Sequence, residues 1–187
     1  MSQMLFSHDT EITLRAACVL VNSDRVEGDQ LGDAAALEAF LDGWGYTGRR
    51  DHDTAELASI HRLRERLGKI WEVVDDEVQT VGQVNALLSD TKASPWLTRH
   101  PEMPEWHLHL ASAHDPLWQR MGAEFAMALA DTIRIGELRR LKTCAAPDCD
   151  AVLLDVSRNR SGKFCDTGNC GNRLHVAAYR ERRSKEG

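Results

Sequence analysis

Four of the five cysteines in this 187-residue chain lie close together near its end. They form two pairs, Cys144 with Cys149 and Cys165 with Cys170, with four residues inside each pair and 15 residues between the pairs. The segments inside the pairs, AAPD and DTGN, are rich in residues that favour tight turns, so each pair can direct two sulfurs to one ion. The pattern therefore predicts a tetrahedral four-thiolate metal site.

Zinc is the expected metal, as one ion, because nothing near the cysteines indicates redox chemistry. Four protein ligands leave no open coordination position, so the site would be structural and not catalytic. The segment between the pairs has too few apolar residues to fold without an ion. Two disulfides are not expected, since the start MSQMLFSHDTE lacks a readable secretory signal and the reducing cytoplasm is the expected compartment. Four free or redox-active thiols remain the alternative.

Charge divides the chain into two unlike parts. Residues 1–138 carry 12 Lys and Arg against 23 Asp and Glu, a net charge of -11. Residues 139–187 carry 11 Lys and Arg against 6 Asp and Glu, a net charge of +5. Only the basic end is therefore expected to approach a polyanion such as nucleic acid, although a solvated basic tail explains the same bias.

The last cysteine runs into the segment CGNRLHVAAYRERR, which has the composition of a basic helix. Asn172 is expected to cap this helix, with base reading as the alternative role. Leu174, Ala177 and Ala178 form a narrow apolar stripe that could rest on the cysteine module. Arg173 is either a partner of the thiolates and of the carboxylates of Asp155 and Asp166, or a contact to DNA, and the two roles carry equal weight.

Several other cations are candidates for contact with nucleic acid, because arginine and lysine bind phosphate oxygens. Some lie in the predicted helix, and the rest lie before Cys165 in a loop that could converge with the helix. The candidates are Arg180, Arg182 and Arg183 in the helix and Arg158, Arg160 and Lys163 in the loop.

The rest of the chain has the periodicity of helices that could position this module. We predict helices over about residues 10–22, from an Asp33 cap to the glycines at 43 and 45, and over about 54–78, with a shorter helical segment over 81–90. Cys18 is expected to be a small buried residue of the first helix. Asn22, with Asp24 and Arg25, could line a ligand pocket, but a turn that ends the helix is the expected role.

The segment KASPWLTRHPEMPEWHLHLAS breaks the helical pattern and predicts a small β-hairpin packed on the helices. Its histidines 107 and 109 alternate with apolar residues and could bind a metal together with His114, although an exposed polar face explains the alternation as well. A last long helix should start at an Asp115 cap and lead directly to Cys144. The predicted fold class is therefore mainly α, with a multihelical domain over residues 1–139 and a four-cysteine module over 140–187 that ends in a basic helix.

The order of features in the module resembles the CGNR zinc finger. The residues that carry the resemblance are the C-x4-C pair, the apolar stretch followed by Asp155, and FC-x4-CGNR leading into a basic helix. In that family the finger closes bacterial proteins that begin with an ABATE domain, a family named for stress-induced transcription regulation. The segments LRAACVLVNSDR, FLDGWGY and IHRLRERLGKI resemble that domain more diffusely. The resemblance implies structural zinc, DNA binding and a role in the stress response, with Asp155 as a structural residue.

Together these observations favour a DNA-binding regulator whose helical domain senses a signal or dimerises. A homodimer and an unidentified small-molecule effector are candidates for further partners, and no apolar run is long enough for a membrane helix. The alternative is a protein-interaction module whose basic helix docks onto an acidic surface, including that of its own chain. An enzyme is not expected, because no nucleophile motif, phosphate-binding loop or acid-base pair stands out.

Overall fold

The computed structural model describes residues 6–25, 28–100 and 103–185. Six helices and two short hairpins lie in this part of the chain, which confirms the mainly α fold class. The helices are α1 (His8–Asn22), α2 (Ala34–Gly43), α3 (Thr54–Glu72), α4 (Glu77–Asp90), α5 (Leu117–Arg134) and α6 (Cys170–Lys185). The strands are β1 (Trp96–His100), β2 (Met103–His109), β3 (Leu141–Thr143) and β4 (Val152–Leu154), and a 3-10 turn, Leu138–Arg140, precedes β3.

Short polar side chains start the first four helices, because each accepts a hydrogen bond from a backbone N–H that lacks a partner inside the helix. Ser7, Asp33, Asp53 and Asp76 accept such bonds at the starts of α1 to α4. The predicted Asp33 cap is therefore confirmed. The helices enclose one apolar core, in which α5 contacts α1, α3 and α4. Cys18 is buried in this core, as predicted.

The third helix is shorter than the sequence pattern predicts. It ends at Glu72 and not near residue 78, and a new helix, α4, starts at Glu77. The carboxylate of Asp76 accepts the backbone N–H of Gln79 at 3.0 Å and so caps the start of α4. Val78 consequently lies in the first turn of α4 and is exposed, so its match to the apolar spacing of α3 is coincidental.

Strands β1 and β2 form the predicted antiparallel hairpin, with Leu97 opposite Leu108. The prediction that the hairpin packs on the helices is wrong for most of its length. Trp106 is 65% exposed, Leu97 is 64% exposed and Leu108 is also exposed, whereas Leu110 just beyond β2 is buried. The hairpin therefore joins the core only at its base, because a two-stranded ribbon has no other strand or helix to cover its faces here.

The last helix of the body departs from the prediction at both ends. Asp115 does not cap α5, because its carboxylate accepts the backbone N–H of Ser112 and the helix begins at Leu117. The helix ends at Arg134, before Gly136 with its positive φ of 70°, and does not lead directly to Cys144. The 3-10 turn and β3 lie between them.

Among the described residues, no helix combines the length and the apolar character that crossing a bilayer requires.

The second hairpin joins the cysteine module to the helical body. β3 and β4 pair in antiparallel fashion, with Leu141 opposite Leu154. β4 lies against α1, and β3 lies against α3. Leu141 and Val152 are buried in the same apolar core as the helices, so one face of the module completes the core of the body.

Candidate metal centre and basic helix

The four cysteine sulfurs lie within 4.8 Å of one another. The Sγ atoms of Cys149 and Cys165 are 3.6 Å apart, and those of Cys165 and Cys170 are 3.7 Å apart. A tetrahedral zinc ion with bonds of about 2.3 Å separates its sulfurs by about 3.8 Å, so the cluster has the size of a zinc site. A disulfide needs about 2.05 Å, and all five cysteines are free. Cys144, Cys149, Cys165 and Cys170 are thus positioned to bind one metal ion, as a structural zinc site requires.

The backbone around the sulfurs explains how two distant pairs meet. The N–H of Cys144 donates to the carbonyl of Ala151 at 2.8 Å, extending the β3–β4 ladder up to the first ligand. The N–H of Ala145 donates to the carbonyl of Lys163 at 2.8 Å, which brings the second pair beside the first. The hairpin therefore places the turn of the first pair, and the loop after β4 returns the second pair to it.

Backbone donors also point at the sulfurs, as is usual around metal-bound thiolates. The N–H of Cys165 donates to Sγ of Cys144, and the N–H of Gly168 donates to Sγ of Cys165, both at 3.4 Å. Burial opposes ionisation of Cys144, but the N–H groups of Ala146 and Cys165 outweigh it and lower the pKa of this thiol. These donors favour the thiolate form that binds zinc.

Arg173 lies against the cluster and connects its two halves. Its Nη2 donates to both carboxylate oxygens of Asp148 at 3.0 Å and contacts Sγ of Cys170 at 3.6 Å. Asp148 belongs to the turn of the first cysteine pair, and Cys170 closes the second. Of the two roles predicted for Arg173, this contact supports the one beside the thiolates. The predicted carboxylate partners were Asp155 and Asp166, whereas the observed one is Asp148.

Asp155 organises the loop between β4 and Cys165. Its side chain is 2% exposed and accepts hydrogen bonds from Lys142 Nζ at 2.5 Å, Ser157 Oγ at 2.6 Å and Gly162 N at 3.0 Å. Burial raises the pKa of this carboxyl, but the bonds from Lys142 and Ser157 outweigh it and lower the pKa to about 2. A Cβ on Gly162 would lie 2.9 Å from the carboxyl carbon, so glycine is needed for this approach. The geometry supports the structural role predicted for Asp155.

Asn22 connects the module to the body, a role that nothing near it in the sequence indicates. It is the last residue of α1 and only 3% exposed. Its Nδ2 donates to the carbonyl of Val152 at 2.8 Å, and its Oδ1 accepts the N–H of Val152 at 2.7 Å. The amide thus pairs with β4 as a neighbouring strand would. Arg25 adds a bond to the carbonyl of Asp150 at 2.8 Å.

The basic helix α6 starts at Cys170, three residues earlier than predicted. Asn172 therefore lies exposed inside the first turn, and its predicted role as the N-cap is wrong. The helix can start earlier because the turn that ends at Cys170 already leads into it, with the N–H of Arg173 donating to the carbonyl of Asn169. Leu174 packs on the cysteine cluster, but Ala177 and Ala178 are exposed, so the predicted apolar stripe reduces to one residue.

The arginines near the end of α6 are exposed and are divided between two faces. At about 100° per residue, Arg173, Arg180 and Arg183 lie within about 80° of one another around the axis, and Arg182 lies on the opposite side. Within the described residues, Arg180, Arg182 and Arg183 form no ion pair. The face that carries Arg180 and Arg183 is thus available to a partner with negative charge.

The loop cations do not behave alike. Arg160 donates to Glu137 at 2.9 and 3.1 Å, which holds its guanidinium at the connection between α5 and β3. Its predicted contact with nucleic acid would require this ion pair to break. Arg158 and Lys163 are exposed, and their predicted contacts with nucleic acid stay predictions.

Two other predicted sites receive less support. Among the described residues, the four cysteines are the one group of three or more potential ligands that could hold a metal, so His107, His109 and His114 do not form one. Asp24 and Arg25 do line a cleft between α1 and α3, but Asn22 does not, because its amide is used by Val152.

These features define a helical protein that carries a closed four-thiolate zinc finger. The sequence profile of the CGNR zinc finger matches residues 140–183, and the ABATE profile, described as "Putative stress-induced transcription regulator", matches residues 14–135. The second match spans more than half of the chain, which therefore belongs to the ABATE family. Both resemblances are confirmed in their predicted order. A comparison with curated proteins finds no match.

The two matched families are regulatory and zinc-finger families and not families of enzymes. The predicted boundary between residues 139 and 140 falls between the two matched ranges. It stays a prediction, since the β3–β4 hairpin on its C-terminal side shares the core of the helical body.

Proposed function

We propose that this protein is a transcriptional regulator that binds double-stranded DNA through α6. The observation that carries the proposal is the exposed face of α6, where Arg180 and Arg183 project from a module held by four cysteines. A helix of this kind fits the major groove and can contact phosphates with its arginines. The family description supports a regulatory role.

The charge distribution also supports binding of DNA by the C-terminal end of the chain and not by the helical body. The body has a net charge of -11 and would be repelled by DNA, whereas the end has a net charge of +5. The zinc site would be architectural, holding the start of α6 against the β3–β4 hairpin. Arg173 would then serve the module, with its guanidinium on Asp148, and Arg180 and Arg183 would contact the phosphates.

A protein partner with an acidic surface is the second candidate. It is favoured by two apolar side chains on α6, since Val176 and Tyr179 are both exposed. Docking of α6 onto the acidic body of its own chain has less support, because the described arginines near its end form no ion pair with that body.

The test is the affinity of the zinc-loaded full-length protein for labelled random duplexes, measured by fluorescence anisotropy between low and moderate salt. Three to five phosphate contacts give a slope of log K against log salt of roughly -3 to -4.5. Replacing Arg180 and Arg183 together with alanine should make the slope less steep by about 2. Arg62→Ala removes an exposed arginine of α3 and should change nothing. Absence of affinity for any duplex at low salt would overturn the proposal and favour the acidic protein partner.

One finger offers few contacts, so we include in the proposal a homodimer formed through the helical body, which would double the number of phosphates bound. Sedimentation of the protein with and without duplex tests this point. Selection of bound duplexes would give the sequence preference, and expression of a reporter placed behind the selected sequence, with and without stress, would give the activating or repressing role and the signal. A regulator of this kind would act in the cytoplasm, where bacterial DNA lies.

A further inference from the structure

A cleft of about 190 Å³ lies on the side of the body where α1 and α5 meet two connecting segments. One segment, residues 44–47, follows α2, and the other, residues 109–113, follows the exposed hairpin. None of the proposed contacts of α6 and no cysteine of the zinc site lines this cleft.

A buried guanidinium connects the segments that border the cleft. Arg120 of α5 donates to the backbone carbonyls of Thr47 and Arg49, and its Nε donates to the carbonyl of Asp115 at 3.1 Å. Three carbonyls of two separate segments are thus fixed to one side chain. The guanidinium has five N–H groups, so two remain after these bonds.

The two segments also meet each other directly. The N–H of Arg49 donates to the carbonyl of Ala113 at 2.9 Å. Gly48 has a positive φ of 87°, and a Cβ there would lie 2.8 Å from this carbonyl and 2.9 Å from Nη1 of Arg120. Only glycine fits this crossing, so the cleft has a defined wall.

Glu124 lies one helical turn after Arg120 and faces the same cleft. Its carboxyl forms no hydrogen bond with the part of the chain that the structure describes. Burial raises the pKa of this carboxyl to about 7, against the opposing effect of Arg120. A carboxyl in such surroundings gains more than an exposed one from a hydrogen-bond donor brought by a ligand.

The remaining walls carry both apolar and polar groups, the polar ones from Thr13, Thr47 and His109. Trp44 and Tyr46 contribute aromatic rings, and Ile12 and Ala16 of α1 contribute aliphatic groups. A cavity of about 150 Å³ accommodates benzene, so the volume suits one ring with a small substituent. Arg120 and Glu124, the two oppositely charged groups of the lining, are neighbours on α5.

We propose that this cleft binds a small uncharged ring compound that carries a hydrogen-bond donor beside an acceptor, such as an aromatic amide. The donor would meet Glu124, and the acceptor would meet an N–H of Arg120. A cationic ligand would face Arg120 and an anionic ligand would face Glu124, and either would lose hydration on entering the cleft. The proposal does not rest on DNA binding.

The experiment is calorimetric titration of benzamide into the zinc-loaded full-length protein, without DNA, at pH 8. A compound with so few atoms is expected to bind with a dissociation constant of about 1 mM. Glu124→Met removes the acceptor at similar size and should weaken binding at least about tenfold, a factor that corresponds to one lost hydrogen bond. Glu77→Met makes the same change at an exposed position of α4 and should leave binding unchanged.

Thr13→Phe is a second variant that fills the cleft from α1 and should abolish binding. It keeps the test decisive if Glu124→Met does not fold. Benzoate, benzylamine and toluene are the comparison compounds, and each should bind more weakly than benzamide. The proposal is overturned if benzamide does not bind, if Thr13→Phe binds it normally, or if a charged compound binds more tightly.

Discussion

Replacing Asn22 with leucine should weaken the attachment of the zinc module to the helical body. Leucine has about the size of asparagine but neither donates nor accepts a hydrogen bond. The change removes both bonds between α1 and Val152, at 2.8 and 2.7 Å, and leaves a buried N–H and a buried carbonyl of β4 without their partner. The four sulfurs all belong to the module, so the metal site itself stays intact.

The magnitude follows from those two groups. Each hydrogen bond contributes about 1 kcal/mol net, and leaving a buried backbone group unpaired costs about 1 to 3 kcal/mol more. Some relaxation of β4 is expected, so we expect a loss of about 3 kcal/mol in the free energy of unfolding. In a chain of this size that loss lowers the Tm by about 6 to 12 °C.

The assay is urea unfolding of the zinc-loaded protein followed by circular dichroism. Asn85→Leu is the matched control, because Asn85 is exposed on α4 and the same substitution there changes helix propensity alone. Metal analysis should give one zinc per chain in both variants. A loss below about 0.5 kcal/mol in Asn22→Leu, relative to Asn85→Leu, would show that the amide does not stabilise the attachment.

Three further perturbations test other parts of the structure. Cys165→Ser should abolish zinc binding and lower the Tm, whereas Cys18→Ala should retain one zinc per chain; an equal zinc content in both would contradict the metal site. Glu124→Gln should stabilise the protein by about 1 to 3 kcal/mol at pH 8 and change little at pH 4. The sign follows from the raised pKa of Glu124, about 7, because ionisation of the buried carboxyl destabilises the folded protein above that pH. Below the ordinary value of 4.5 the carboxyl is protonated in both the folded and the unfolded protein, so the destabilisation vanishes. Urea unfolding at both pH values measures the difference. Gly122→Ala should destabilise the protein by about 1 kcal/mol despite its better helix propensity, because the new Cβ would lie 2.8 Å from Cγ2 of Thr91; a raised Tm would show that the contact relaxes.

Local sequence signals predicted the metal centre and most helices. The four cysteines are in two pairs within 27 residues, and each pair is closed by a turn that its own residues favour. The Asp33 cap is also local, since the side chain and its partner Ala36 are three residues apart. Features of this kind depend on neighbours in the sequence, so spacing is enough to find them.

Features that depend on distant partners were missed. The pairing of Asn22 with Val152 joins residues 130 positions apart, and nothing near Asn22 in the sequence indicates it. The exposure of Trp106 was missed because alternation shows that a strand has two faces but not whether anything covers them. The break before α4 was missed because the apolar spacing continued by chance through Asp76, whose capping role overrides it.

Among the site residues too, local sequence predicted the position of a side chain but not its distant partner. Arg173 could be placed near the thiolates from its position beside Cys170, but its partner Asp148 depends on how the two cysteine pairs fold together. Arg160 lies in a basic loop and was therefore predicted to contact nucleic acid, yet it forms an ion pair with Glu137, 23 residues earlier. Charge composition therefore predicted which residues are basic but not which of them remain available.

Val152 and Leu141 belong to the zinc module by sequence but to the core of the helical body by packing. If the module loosens when zinc is absent, these side chains lose their cover and the body loses part of its interior. A cell short of zinc would then hold a protein that is open to proteases as well as unable to present α6. The abundance of the protein, and not only its affinity for a partner, would follow the zinc supply.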